Sequence, residues 1–300
     1  MEHKAYRKML WTDIEISVIS DDWHIDRRIN WIFDFLSSFE QEFSRFLPHS
    51  NLSILNEYKN AEVSQRFLDL LHKSIDLYKR TDWYFNPLSD ISKIWYSNDF
   101  ESQNFEKIER ISDDDISKIR IEGKKIYLNE NQRLDFWWIW KWYAVDQAAK
   151  FLEMFWYDDF FINAWWDIMA NWKNQNWNNW VIWIENPFDW SLLWHIELAN
   201  SAIATSGNYK RKWNINWKDY HHLLNPKTKE NNFEIISVSV LATSWTEADA
   251  FTKALYNMDI KKSLAFIEHN WLAWFLITNN REILTTKWLE EKHWFTLYDK

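Results

Sequence analysis

Only two glycines occur in 300 residues, and that scarcity constrains this chain most, because tight turns and left-handed backbone normally fall to glycine. A globular chain carries about 7% glycine. Tryptophan shows the opposite excess, with 25 residues. Taken together the two counts resemble an ordinary glycine complement plus a few tryptophans. Six tryptophans follow Asn (Trp31, Trp172, Trp177, Trp180, Trp217, Trp271) and three follow Asp (Trp23, Trp83, Trp190). Asn and Asp make up 50 of 300 residues, so chance gives about four such pairs, whereas Asn-Gly and Asp-Gly are the favoured tight-turn dipeptides. An indole has no such advantage at positive φ. In FWWIWKWYAVD (136–146) four large rings fall within six positions, where four glycines would let a phosphate approach the backbone. Most tryptophans are therefore expected to occupy glycine positions, the pattern that results when UGA codons meaning glycine are translated as tryptophan. The alternative is a genuinely Trp-rich protein such as a carbohydrate-binding module.

The remaining composition excludes several classes. A formal charge of −9 argues against a nucleic-acid backbone binder, which normally shows a basic face. No apolar run approaches the ~18 residues of a membrane helix. Zero Cys excludes disulfides, thiolate metal sites and a lipidated cysteine. The N-terminal segment lacks an apolar core followed by a small-residue cleavage site. As written, the chain is expected in the cytoplasm; a truncated N-terminus would allow a membrane-associated or extracytoplasmic protein.

Alternating apolar residues predict a strand over 11–20. Helical spacing predicts amphipathic helices over 26–47 and about 62–80. Residues 97–118 are polar and read as a surface connection. Short strands are expected at 119–136, a helix at 141–153, and, after FFINAWWDIMA (160–170), strand-turn-strand hairpins through 171–187. Further strands are expected at 194–206, 219–224 and 233–243, a helix from Thr246, and final strands near 273–286. Strands and helices alternate without regular βαβ spacing. The expected fold is therefore α+β, one two-lobed domain over 1–300 with mixed or antiparallel sheets and flanking helices.

With glycine in mind, eight segments in order resemble the ApbE family of FAD:protein FMN transferases. They are SRFLPHSNLSILNE (44–57), TDWYFNP (81–87), LDFWWIWKWYAVD (134–146), INAWWDI (162–168), IENP (184–187), ATSGNYKR (204–211), YHHLLNPKT (220–228) and TEADAFTKAL (246–255). Where the family pattern has glycine, this chain usually has Trp. Trp180 and Trp95 instead fall where the family itself often has tryptophan.

The resemblance implies Mg²⁺-dependent transfer of FMN from FAD to a Thr or Ser hydroxyl of an acceptor flavoprotein, with release of AMP. Family acceptors carry Asp-Gly-x-[Ser/Thr]-Gly-Ala-[Ser/Thr]. Neither nucleic acid nor a membrane span is expected to take part. Rival readings are Mg²⁺-dependent FAD hydrolysis and non-catalytic FAD binding. By resemblance Asp249 is the leading metal ligand, although a first-turn acid on a helix is also favoured by the dipole alone. The family often has Thr four residues later. Here that position is Lys253, beside Thr252, which leaves the second side-chain ligand open between them. The backbone carbonyl before the loop lysine maps to Trp140. Lys141 is implied to pair with phosphate and Asp146 to hydrogen-bond the cofactor. Thr81, Asp82 and Trp83 match a flavin-contact loop, or are simply a turn. Phe46 and Leu10 (beside Met9) match cofactor contacts. Thr205 and Ser206 are implied to present hydroxyls and amides near phosphate, with Gly207 at a position closed to side chains. His222 is the candidate acid/base, with His221 expected on the opposite strand face and Asp167 expected to order the site.

Overall fold

The computed structural model describes residues 1–88, 112–165, 167–209, 212–215, 217–286, 289 and 296–297. Strand β1 (Glu2–Met9) pairs antiparallel with β2 (Thr12–Ile19). Helix α1 (Ile25–Phe43) follows, buried along Ile29, Ile32, Phe33, Leu36 and Phe39. It ends earlier than its apolar spacing suggests, because the chain turns ahead of Pro48 and extended backbone is preferred before proline. Helix α2 (Asn51–Tyr58) and helix α3 (Gln65–Arg80) start at Ser50 and Ser64, whose side chains accept the amides of Ser53 and Phe67. Such caps are worth about 1 kcal/mol each. Between the two helices β3 (Asn60–Glu62) joins a small sheet with β4 (Arg120–Glu122) and β5 (Lys125–Tyr127). Most of the predicted connection at 97–118 lies outside the described residues.

Helix α4 (Trp140–Met154) leads to β6 (Phe160–Ala164) and β7 (Asp167–Asn171), then β8 (Trp180–Glu185), β9 (Leu192–Leu198) and β10 (Ser201–Gly207). The single strand expected over 194–206 is thus two, separated by a turn in which Asn200 takes φ 52°. A ribbon of β11 (Lys212–Ile215) and β12 (Lys218–His221) precedes β13 (Ile235–Ala242). Helix α5 (Trp245–Asn257), helix α6 (Ile260–Asn270), β14 (Ala273–Thr278), β15 (Ile283–Thr285) and the short β16 (Thr296–Leu297) complete the order.

One eight-stranded sheet, β1-β2-β6-β7-β10-β13-β14-β15, organises the chain, and every strand pairing among the described residues is antiparallel. Both faces of its later half are covered. In β14, Trp274 and Leu276 pack under α5 and α6, whereas Ala273, Phe275 and Ile277 pack against β8 and β9. Period-two alternation therefore reads as a continuous apolar run. A second core joins α1, α3 and α4 to β2 and β6.

Nine of the fifteen non-glycine residues with positive φ, among the described residues, are tryptophans: 11, 83, 156, 165, 172, 177, 190, 217 and 271. Six of these follow Asn or Asp. A bulky residue in left-handed backbone is an outlier and costs about 1–2 kcal/mol. Three fully buried indoles, those of Trp140, Trp245 and Trp274, have no hydrogen-bond partner for their N–H, although buried tryptophans usually find one. Trp180 behaves differently. It sits in a strand, and its Nε1–H donates to the Asn171 carbonyl at 3.2 Å. Trp95 lies outside the described residues.

Trp271 closes helix α6 in left-handed backbone and is 76% exposed, so it loses little packing on truncation. Trp271→Gly should raise unfolding stability by about 1 kcal/mol in urea titration. A loss of stability would show that the indole is native to that cap.

Candidate active site

A cleft opens where α4, α5 and the end of β10 meet, walled by Trp137, Trp138, Lys141 and Trp142 on one side and by Thr205, Ser206 and Gly207 on another. His222, Asp249 and Lys253 face the same space, as do Thr12, Trp165, Asp167 and Tyr209. Its free volume is about 150 Å³, below the roughly 300–1,000 Å³ of clefts that hold organic ligands. Four indoles, those of Trp137, Trp138, Trp142 and Trp165, line it.

The loop before α4 is fixed by Asp135. Its carboxylate pairs with Arg45 at 2.7 Å and accepts the Trp137 amide at 2.8 Å, while its own amide donates to the Pro87 carbonyl. This clamp was missed in the sequence, although Arg45 and Asp135 both belong to the segments singled out there. Asp146, in the second turn of α4, is buried, and burial pushes its carboxyl up. It accepts the amides of Trp245 and Thr246 at 2.7 and 3.0 Å and the Thr246 hydroxyl. An acid at a helix N-terminus satisfies orphan amides and complements the dipole. Asp146 therefore ties α4 to α5 and sets where Asp249 points.

On α5, burial pushes the Asp249 carboxyl up, against the lowering pull of the Lys253 ammonium beside it. Lys253 pairs with it and also donates to the Trp138 carbonyl at 2.9 Å. Thr252 is fully buried; its hydroxyl donates to the Asp249 carbonyl and bonds the Ser206 hydroxyl, both at 2.8 Å. Lys141 lies with its Nζ 4.1 Å from the Trp137 ring centre. Trp140 is buried in the core, stacked on Phe43 with ring centres 6.5 Å apart. These donors do not fit a divalent ion. Hard cations take several oxygens, yet the carboxylate here holds an ammonium. Among the described residues no group of three or more His, Cys, Asp or Glu lies together.

Asp167 accepts the Thr205 amide at 2.8 Å, and the Thr205 hydroxyl bonds Ser239 at 2.7 Å. A side chain at Gly207 would come within 2.9 Å of the Ile236 carbonyl, which accounts for a true glycine there. Burial pushes the Tyr209 phenol up to about 12, leaving it protonated as a donor; it falls inside the predicted ATSGNYKR segment but was not singled out.

His222 stacks on Trp138 with ring centres 5.9 Å apart. His221 is fully buried: its Nε2–H donates to the Asn232 carbonyl at 2.9 Å and its Nδ1 accepts the Leu223 amide at 3.2 Å. His222 lines the cleft and His221 does not, although β12 ends at His221 and the two do not alternate along one strand. Phe46 packs edge-on against Trp137, 5.3 Å between centres, at the margin of the cleft. Leu10 is buried in the core. The Thr81 hydroxyl donates to the Leu77 carbonyl and accepts the Phe85 amide, Asp82 pairs with Lys227 at 2.8 Å, and Trp83 lies half exposed against Tyr78. None of these four lines the cleft.

The ApbE family model matches residues 10–276. The chain is 24% identical over 291 residues to the FAD:protein FMN transferase of Buchnera aphidicola subsp. Schizaphis graminum, covering 91% of this chain and 84% of that protein. It is 26% identical over 253 residues to the protein of the same name from Chlamydia muridarum, covering 79% and 76%. In fold it resembles the crystal structure of the ApbE protein of Thermotoga maritima, with TM-score 0.87 and 20% identity over 97% of this chain and 99% of that one. The flavin transferase ApbE of Vibrio cholerae gives TM-score 0.81 at 20% identity, with the same coverage. No described helix is long and apolar enough to cross a membrane.

Burial pushes the His221 imidazole down to about 4 from 6.5, because a second ring proton would confront the Leu223 amide. A depressed folded-state value gives stability that is complete above the unfolded pKa and is lost as pH falls. Between about pH 6.5 and pH 4, His221 should remove about 3 kcal/mol. Urea titrations at pH 7 and pH 4 should show that much smaller a drop for His221→Gln than for the parent. Equal drops would contradict the assignment.

Proposed function

This chain belongs to the ApbE family, and on that premise we propose that it transfers FMN from FAD to a Thr or Ser hydroxyl of an acceptor flavoprotein. The acceptor oxygen attacks the phosphorus on the flavin side of the diphosphate. The bond from that phosphorus to the bridging oxygen breaks, AMP leaves, and FMN remains as a phosphoester. The step needs a base for the hydroxyl proton, positive charge against the diphosphate and in-line positioning.

One observation carries this reading: His222, Lys141 and the Asp249–Lys253 pair face one cleft beside the Thr205–Ser206–Gly207 strand end. His222 takes the hydroxyl proton. Lys141 and Lys253 supply positive charge, and Gly207 lets the diphosphate lie near the strand. The indoles at 137, 138, 142 and 165 fill the space the dinucleotide requires.

A chain carrying Trp137→Gly, Trp138→Gly, Trp140→Gly, Trp142→Gly and Trp165→Gly, given FAD and a Thr-containing acceptor peptide, should yield flavin fluorescence on the peptide that survives denaturation. The chain with those indoles should label none. In the five-glycine chain His222→Gln should lower kcat by about 10²–10⁴-fold with FAD binding nearly unchanged. AMP release without labelling would replace the acceptor by water, and FAD binding without either product would contradict an enzyme.

A further inference from the structure

We propose that the Lys253 ammonium is the resident cation of this cleft, so that the flavin transfer proposed above proceeds without a bound divalent metal. The inference rests on that functional reading for its substrate and on side-chain geometry for its content.

Three observations carry it. First, the Lys253 Nζ lies between the Asp249 carboxylate and the backbone carbonyl of Trp138, 2.9 Å away. A carboxylate and a loop carbonyl are the oxygen donors that a hard cation seeks, and here an ammonium uses both. Second, the arrangement is held in place. Lys253 is 9% exposed and Asp249 is 4% exposed, and they stand one turn apart on α5. A divalent ion entering the same carboxylate would meet a like charge in poorly screened surroundings. Third, the neighbouring hydroxyl is committed elsewhere, since Thr252 is bonded to the Asp249 carbonyl and to Ser206.

The charges are consistent with the task. Lys141 and Lys253 line the cleft together with Asp249 and Asp167, so two ammoniums offset two carboxylates and a diphosphate does not meet a net negative wall. Lysine presents a compact, strongly hydrated point charge suited to phosphate. Because Lys253 is anchored at two oxygens, that charge is in position before substrate arrives.

Mn²⁺, as a paramagnetic probe for Mg²⁺, tests this apart from activity. Titrated into the five-glycine chain with FAD and followed by its free-ion resonance, Mn²⁺ should bind no more than to FAD alone. Lys253→Thr in that background, with unchanged far-UV circular dichroism, should gain one site. Flavin labelling by the parent should persist in EDTA. Labelling by Lys253→Thr should fall at least about tenfold in EDTA and return with Mg²⁺. Mn²⁺ binding by the parent, loss of its labelling in EDTA, or a folded Lys253→Thr that gains no site would each overturn the proposal. Failure of all labelling would refute the transfer reading, while the Mn²⁺ titration of the parent still decides the role of Lys253 even if the variant does not fold.

Discussion

Left-handed backbone is the constraint on which the rest of this structure depends. The chain reverses direction at strand turns, in loops and at helix ends, and at nine left-handed positions among the described residues it carries an indole. At about 1–2 kcal/mol each, nine such residues cost as much as the whole stability of an ordinary domain, about 5–15 kcal/mol. Partnerless buried indole N–H groups at Trp140, Trp245 and Trp274 add further cost. The same substitution crowds the cleft, where Trp137, Trp138, Trp142 and Trp165 stand together. One change of residue type therefore accounts for strained turns and a shrunken site alike.

Within that frame the site depends on links between sequence-distant segments. Asp135 and Arg45 hold the loop. Asp146 holds the start of α5. Lys253 returns from α5 to the Trp138 carbonyl. Each joins a charged side chain to backbone or to an opposite charge in a place where leaving it unpaired would be costly. Asp146 is accordingly a positioning residue: it touches amides of α5, and through them it aims Asp249.

Much of this was legible in the sequence because α1 and α3 bury one face and so carry a helical apolar period, whereas α5 is buried on nearly every side and was legible only as a segment. β1 was missed because it is an edge strand with charged residues on much of its length, leaving no apolar alternation to read. α2 is only eight residues long, and α6 buries little beyond Ser263 and Ile267, too small an apolar face to announce itself. The cleft residues were legible as segments: Lys141, Thr205, Ser206, His222, Asp249 and Lys253 do meet. Their pairings were not, because the choice of Lys253 rather than Thr252 as the partner of Asp249 depends on side-chain direction along α5. The Thr81–Trp83 turn reads from its local bonds as a helix end.

The central claim is that this fold is built for glycine where indoles are written. Intact-mass and peptide mass spectrometry of the protein purified from its native source, read beside its codons, tests this most directly. The account predicts glycine, encoded by UGA, at Trp83, Trp137, Trp138, Trp142, Trp165 and Trp271, with tryptophan from UGG retained at Trp180. A native protein bearing indoles at all seven positions would contradict it.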